Sequence, residues 1–359
     1  VSYEKVNIKD KRWKFMIQNR KDDHINYALE QEKSENSFDD MELIHQSIPK
    51  YNLDEIDIST SFANNYFEVP FFINAMTTAL KLLGFKKQAK SINQKLAKIA
   101  DKCGLLFVTG SYSAALKNPD DNSYKIIKEE NEHIKLATNI GIDKNYMAGQ
   151  KAIEDLKPLF LQIHVNLMQE LLMPEGSRNF NEWENNLKEF VKNIKNTPLV
   201  LKEVGFGMTS DTIKKGIELG IKIFDISGRG GTSFAYIENR RNGNRFTYLN
   251  DWGQTTLASL LDIQKFTEKV EIIASGGVRN PLDIIKALIL GAKGVGISGT
   301  MLEIIENYSI EEAIEIVNSW KMECKMIMCA LNTKKISELK NVKYVLYGKT
   351  KQFLENIRN

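Results

Sequence analysis

The stretch "EIIASGGVRNPLDIIKALILGAKGVGISGTMLEII", residues 271–305, reads as two strand–turn–helix units placed back to back. The apolar run 271–277 ends in Gly276 and Gly277, and the helical stretch "PLDIIKALILGA" follows. "GVGIS" (294–298) then repeats the pattern and runs into "GTMLEII". Parallel strands need a long crossover, most often a helix, so this is the signature of a parallel sheet. The same alternation continues upstream, with short apolar runs at 70–76, 104–110, 134–140, 160–166, 198–205 and 221–228. With the two just quoted there are eight. Eight strand–helix units in ~250 residues are expected to close into a (β/α)₈ TIM barrel. An open doubly wound sheet is the alternative, but no G-x-G-x-x-G opens a helix after an early strand.

Working outward, residues 1–58 form a polar N-terminal arm that includes "NRKDDHINYALEQ" and shows no obvious buried face. The barrel with its C-terminal helices spans 59–345, and 346–359 is a polar tail. Residues 309–331 read as one amphipathic helix and "KKISEL" as a short one, so the C-terminal tail is helical in character.

Composition excludes several classes. Lys plus Arg is 49 and Asp plus Glu is 46, a net charge of +3 with the signs interspersed. No basic stripe marks a nucleic-acid binder. No apolar run reaches the ~18–20 residues of a membrane span, and "VSYEKVNIKDKRWKF" lacks the apolar centre of a signal peptide. The three cysteines, Cys103, Cys324 and Cys329, are odd in number and widely spaced. They are expected to be structural thiols in a cytoplasmic protein.

Active sites of such barrels lie at the C-terminal ends of the strands. There the sequence places Asn74, Thr77, Ser111, Asn139, Asn166, Gln169, Glu170, Lys202, Ser227, Thr232, Gly276 and Gly277. Small, amide and hydroxyl groups predominate, a lining suited to a large polar ligand held by many hydrogen bonds. Glycine loops after strands seven and eight, each ahead of a helix, are expected to form a phosphate site, the alternative being glycines that only make tight turns. "SGRGGT" (227–232) is a third such loop, and Lys202 at the end of strand five would suit a flavin. The competing reading of Lys202 is an interior ion pair with Glu203 or Asp225. Arg20, Lys21 and His24 in "RKDDH" could grip a diphosphate. "FLQIHVNLMQELLMPEG" (160–176) is a strand whose second face carries Gln162, His164 and Asn166 and which ends in Gln169 and Glu170. A satisfied core histidine would account for His164 on spacing alone.

Taken together, "RKDDHI", "INAMT", "GSYSAALKNP", "LQIHVNLMQELLMPEG", "LKEVGFGM", "DISGRGGTSFAYIENRR", "DWGQTT", "ASGGVRNPLDIIKALILGAKGVGIS" and "MIMCALNTKKISEL" resemble, in order, the FMN-dependent type 2 isopentenyl-diphosphate isomerases. The resemblance implies FMN in the barrel, Mg²⁺, a reductant such as NADPH, and a homotetramer or homo-octamer. Its substrates would be isopentenyl and dimethylallyl diphosphate, with reduced FMN as acid and base. Carried over by motif, Ala75, Met76, Thr77, Ser111, Asn139, Lys202, Ser227 and Thr232 would contact FMN. Gly276, Gly277, Ser298 and Gly299 would complete its phosphate end. Arg20, Lys21 and His24 would meet the substrate diphosphate, Gln169 would stand beside the alkene, and Glu170 would hold Mg²⁺. His164, Asn166 and Glu238 would line the same pocket. The chain departs from the family in "INAMTTALKLLGF", where two glycines are usual, and at Tyr112 and Ser113. A flavin barrel that oxidises 2-hydroxy acids, or one that only binds a phosphorylated ligand, is the alternative.

Overall fold

A computed structural model of the chain describes residues 36–76, 86–118, 124–131 and 133–358. Eight parallel strands close into a barrel: β1 Phe71–Ile73, β2 Leu106–Ser111, β3 Lys135–Gly141, β4 Leu161–His164, β5 Leu199–Lys202, β6 Ile223–Asp225, β7 Glu271–Ser275 and β8 Gly294–Ile297. They neighbour one another in chain order, and β8 returns to β1 with Val295 opposite Phe71 and Ile297 opposite Ile73. Each coincides with an apolar run expected to be a strand, β2 and β3 running one residue beyond theirs to Ser111 and Gly141. The runs are short and apolar because helices cover one face and the barrel interior the other.

The helices start where the sequence supplies caps. Asn280 accepts from the Asp283 N–H, and Pro281 occupies the first turn of Pro281–Ile289. Ser309 and Glu312 form a capping box for Ile310–Ala330. These ends matter functionally, because each βα turn delivers a strand's last residues to the mouth.

Inside, side chains stack in layers. The lowest is apolar: Phe72, Leu106, Val108, Ala137, Phe160, Val200, Ile223 and Ile273, closed from below by Phe62 and Phe67 of the hairpin Thr60–Phe67. Phe62 and Phe67 stack at 4.4 Å between centroids. Above it the lining turns polar. Phe160 thus opens the same interior face that continues as Gln162 and His164, so that face is not polar from its start.

The arm also departs from expectation where it is described. Phe38, Met41, Ile56 and Ile58 are buried against the barrel, giving residues 36–58 an apolar face. Met41–Leu43 pairs antiparallel with Tyr344–Leu346, which ties arm to tail. The tail itself forms the helix Gly348–Arg358. Cys103 and Cys324 are buried and Cys329 is partly so, all as free thiols. Among the described residues no helix is long and apolar enough to cross a membrane.

Candidate active site

One connected polar network crosses the barrel at the strand ends. At its centre is Asp225 on β6, fully buried. Its Oδ2 accepts from Asn74 Nδ2 (2.7 Å) and pairs with Lys202 Nζ (3.2 Å), and its Oδ1 accepts from Ser275 Oγ (2.5 Å). Gln162 Nε2 donates to Asn74 Oδ1 (3.0 Å), and Gln162 Oε1 accepts from Asn139 Nδ2 (3.2 Å). Asn139 Oδ1 then meets His164 Nδ1 at 2.7 Å. Strands β3, β4, β5, β6 and β7 all contribute, together with Asn74 directly after β1. Burying a charged or amide group is tolerable only when it is paired, and here each is.

Two titratable groups are displaced by this setting. Burial lowers the His164 pKa to about 4, so the ring is neutral near pH 7 and serves as a hydrogen-bonding group. Burial raises that of Glu203 to about 8, against three backbone N–H groups (Val204, Gly205 and Phe206) that favour its charged form. Lys202 Nζ bonds the Glu203 carbonyl at 3.0 Å, and its ion pair is with Asp225. The interior ion pair is therefore present, and the ammonium still lies at the end of β5 below the mouth.

Three glycine loops converge beside this ledge. A Cβ on Gly276 would come within 2.0 Å of the Gly228 carbonyl oxygen, and one on Gly277 within 2.7 Å of Gly230. Both have positive φ, so the two loops touch backbone to backbone only because side chains are absent. Ser227, with φ of +28°, is a non-glycine residue in the same strained region. Thr256 Oγ1 reaches the carbonyls of Ser275 (3.0 Å) and Gly276 (2.6 Å), and Asn36 Nδ2 reaches that of Gly277 (2.6 Å). The helix Gly299–Asn307 begins here with no side-chain cap from Ser298. A Cβ at Gly299 would meet only Thr232 Oγ1, at 3.4 Å. An uncapped helix start, a hydroxyl and a glycine facing open space fit a phosphate group.

The third part is the rim after β4 and β6. Asn166 precedes the short helix Leu167–Leu172, which carries Gln169 and Glu170. Asn166 Nδ2 donates to Glu170 Oε1 (3.0 Å), and the Ser177 N–H to Glu170 Oε2 (2.8 Å). Arg178 holds this turn by bonding the carbonyls of Glu170 and Met173 at 2.7 and 2.9 Å. Gln169 is buried and donates to Glu238 Oε1 at 3.0 Å. Glu238 in turn is bonded to Arg241, which also reaches Glu175 at 2.8 Å. A cavity of about 1190 Å³ opens at the opposite end of the barrel, beside Lys222, Glu271 and Lys293 where β6, β7 and β8 begin, away from all these groups.

Against known proteins, the FMN-dependent dehydrogenase family matches residues 127–345. The isopentenyl-diphosphate delta-isomerase of Streptococcus mutans is 60% identical over 334 residues, 93% of this chain and 98% of that one. That of Streptococcus gordonii is 60% identical over 343 residues, 96% of this chain and all of that one. This chain belongs to the isopentenyl-diphosphate delta-isomerase family. Solved structures agree on the fold: the flavin-binding domain of baker's yeast flavocytochrome b2 (TM-score 0.62, 20% identity, 89% of this chain and 81% of that one) and a mandelate oxidase variant (TM-score 0.64, 12% identity, 93% and 97%).

Of the family-matched positions, Asn139, His164 and Lys202 share the buried network, while Gly276 and Gly277 meet the 227–232 loop and Thr232 faces Gly299. Asn166, Gln169, Glu170 and Glu238 form the rim. Ser111 follows a register shift in β2 and donates to Ser113 Oγ at 3.1 Å. Ala75 and Met76 lie partly exposed beyond β1, the Ala75 N–H on Asn74 Oδ1 (2.8 Å). Arg20, Lys21, His24 and Thr77 lie outside the described residues. In this isomerase-family chain Arg241, Glu175 and Asn36 escape assignment from sequence, and Asp225 enters there only as a possible partner of Lys202. Only the i, i+3 spacing of Glu238 and Arg241 gave a local signal.

Proposed function

We propose that this chain interconverts isopentenyl and dimethylallyl diphosphate, with reduced FMN over the β1–β8 ledge and Mg²⁺ at Glu170. The observation that carries the reading is the bond from Gln169 to Glu238, which sets a neutral amide, not a strong acid, at the end of β4. Moving the double bond requires a proton added at one carbon and another removed from its neighbour. Reduced FMN, when bound, would supply an acid–base group next to the alkene. The protein's part is placement. Asn74, Asn139, Gln162 and His164 hold a rigid polar ledge, and Lys202 sets a cation beneath it. Ser227, Thr232, Gly276, Gly277, Ser298 and Gly299 would receive the cofactor's phosphate end, with Ala75, Met76, Thr77 and Ser111 beside the ring. Gln169 would lie against the reacting carbons, where Asn166 steadies it, and Arg20, Lys21 and His24 would hold the diphosphate.

Among the described residues no group of three or more His, Cys, Asp or Glu could hold a metal ion by itself. Mg²⁺ at Glu170 would complete its shell with water and substrate phosphate, as this ion commonly does. Each Glu170 oxygen accepts one donor and keeps a second lone pair for the ion. Glu170→Gln is therefore expected to retain FMN and raise the Mg²⁺ concentration needed for half-maximal activity about tenfold or more, a neutral amide being the weaker ligand. A magnesium titration of the anaerobic, reduced enzyme reads this out. An unchanged requirement would remove Glu170 from the metal site.

Oxidation of a 2-hydroxy acid would call for an arginine free to clamp a carboxylate near the last strands. Arg279 is instead held by Asp39 (2.6 and 2.9 Å) and by Asp283 (2.9 Å). A flavin spectrum in the purified protein, with absorbance near ~450 nm, would set the proposed enzyme apart from a barrel that merely binds phosphate. A cytoplasmic homotetramer or homo-octamer reduced by NADPH completes the proposal, supported by the family resemblance and the free thiols.

A further inference from the structure

We propose that Arg241 is a positioning residue that, through Glu238, determines which end of the Gln169 amide faces the substrate. This rests on the reading of Gln169 as a reacting group. Arg241 sits in the last turn of the helix Phe234–Arg241, with its side chain 5% exposed. It binds two carboxylates that are themselves buried, Glu238 on its own helix and Glu175 on the turn after β4. A buried ion triad is a poor device for stability, because apolar groups of the same volume often do as well. Its position offers a better account, since it ends one bond away from Gln169.

The hydrogen-bond logic is directional. A carboxylate only accepts, so the amide group turned toward Glu238 Oε1 must be the NH₂ of Gln169. Its carbonyl oxygen is then the end that accepts from Asn166 Nδ2 on the rim, at 3.4 Å. That is the end able to accept a hydrogen or a proton from the substrate; the reversed amide would present a donor there. Arg241 engages Glu238 Oε2 and so leaves Oε1 aimed at the amide. Reaching Glu175 from the same guanidinium ties the helix that carries Glu238 to the turn that follows the helix of Gln169. Removing the guanidinium takes away the contact on Glu238 Oε2 and so weakens the hold on the acceptor that orients the amide.

A double-mutant cycle on the full-length, FMN-loaded enzyme tests this. Arg241→Gln is expected to lower kcat about tenfold or more while KM for isopentenyl diphosphate and flavin content stay within about threefold. In a Gln169→Ala background the same substitution should change kcat by less than about twofold, because residues that act through one another are not additive. Arg241→Lys should fall between, since one ammonium cannot span both carboxylates as the planar fork does. If Arg241→Gln fails to fold, Arg241→Lys is carried through the same cycle, its smaller loss again expected to vanish in the Gln169→Ala background. Equal factors with and without Gln169 would overturn the proposal and leave the role of Gln169 standing. A Gln169→Ala enzyme as fast as the parent would sink both.

Discussion

Asp225→Ala is expected to destabilise the protein by about 3–5 kcal/mol, the range found when one partner of a buried ion pair is removed. Asp225 is fully buried, and its two oxygens receive Asn74, Gln162, Ser275 and Lys202. Deletion leaves an ammonium without its counter-charge and takes the acceptor from Asn74 Nδ2 and Ser275 Oγ, while Gln162 keeps Asn74 Oδ1. The effect should be visible as a lowered urea midpoint in the cofactor-free protein, and as weaker FMN retention. Since the ledge is one network, His164 and Asn139 should shift with it even though neither touches Asp225. A loss below about 1 kcal/mol, the range of an ordinary exposed pair, would show that the Lys202–Asp225 contact is not the centre of the site.

Gln169→Ala should lower kcat by roughly 10²-fold or more, the scale of a positioned proton-transfer group. KM and FMN content should change little, because the residue's bonds run to Glu238 and Asn166 rather than to the glycine loops. Steady-state kinetics with a flavin absorbance check would separate the two. Activity within a few-fold of the parent would make Gln169 a bystander and return the chemistry to other groups on the rim.

The barrel could be read from sequence because its determinants are local. Each strand is a short apolar run, and signals such as Gly276, Gly277, Asn280 and Pro281 mark where a strand stops and a helix starts. The strand-end residues follow from that frame, which sets Asn139 and Lys202 at the mouth, whereas His164 joins the site only through the family resemblance. What stayed hidden depends on distance in the chain. Glu175 and Arg241 are 66 positions apart, and each looks like an ordinary solvated charge until the fold buries both. Asn36 reaches Gly277 across 241 positions, from a segment whose charges masked the buried Phe38 and Met41. Asp225 was visible only as a possible partner of Lys202, since nothing local shows that four side chains converge on it. Phe160 shares the interior face with Gln162, and only the hairpin below explains why that layer is apolar.

The central claim is that this barrel rearranges a double bond without net redox change, and reductant stoichiometry tests it most directly. Purified enzyme carrying FMN would be given Mg²⁺, isopentenyl diphosphate and far less NADPH than substrate, under anaerobic conditions in D₂O. An acid–base flavin needs reducing only once, so many turnovers are expected for each NADPH consumed. The dimethylallyl diphosphate formed should carry deuterium from solvent, because exchangeable groups deliver the proton. NADPH disappearing one for one with product would contradict the isomerase reading and make the protein an oxidoreductase.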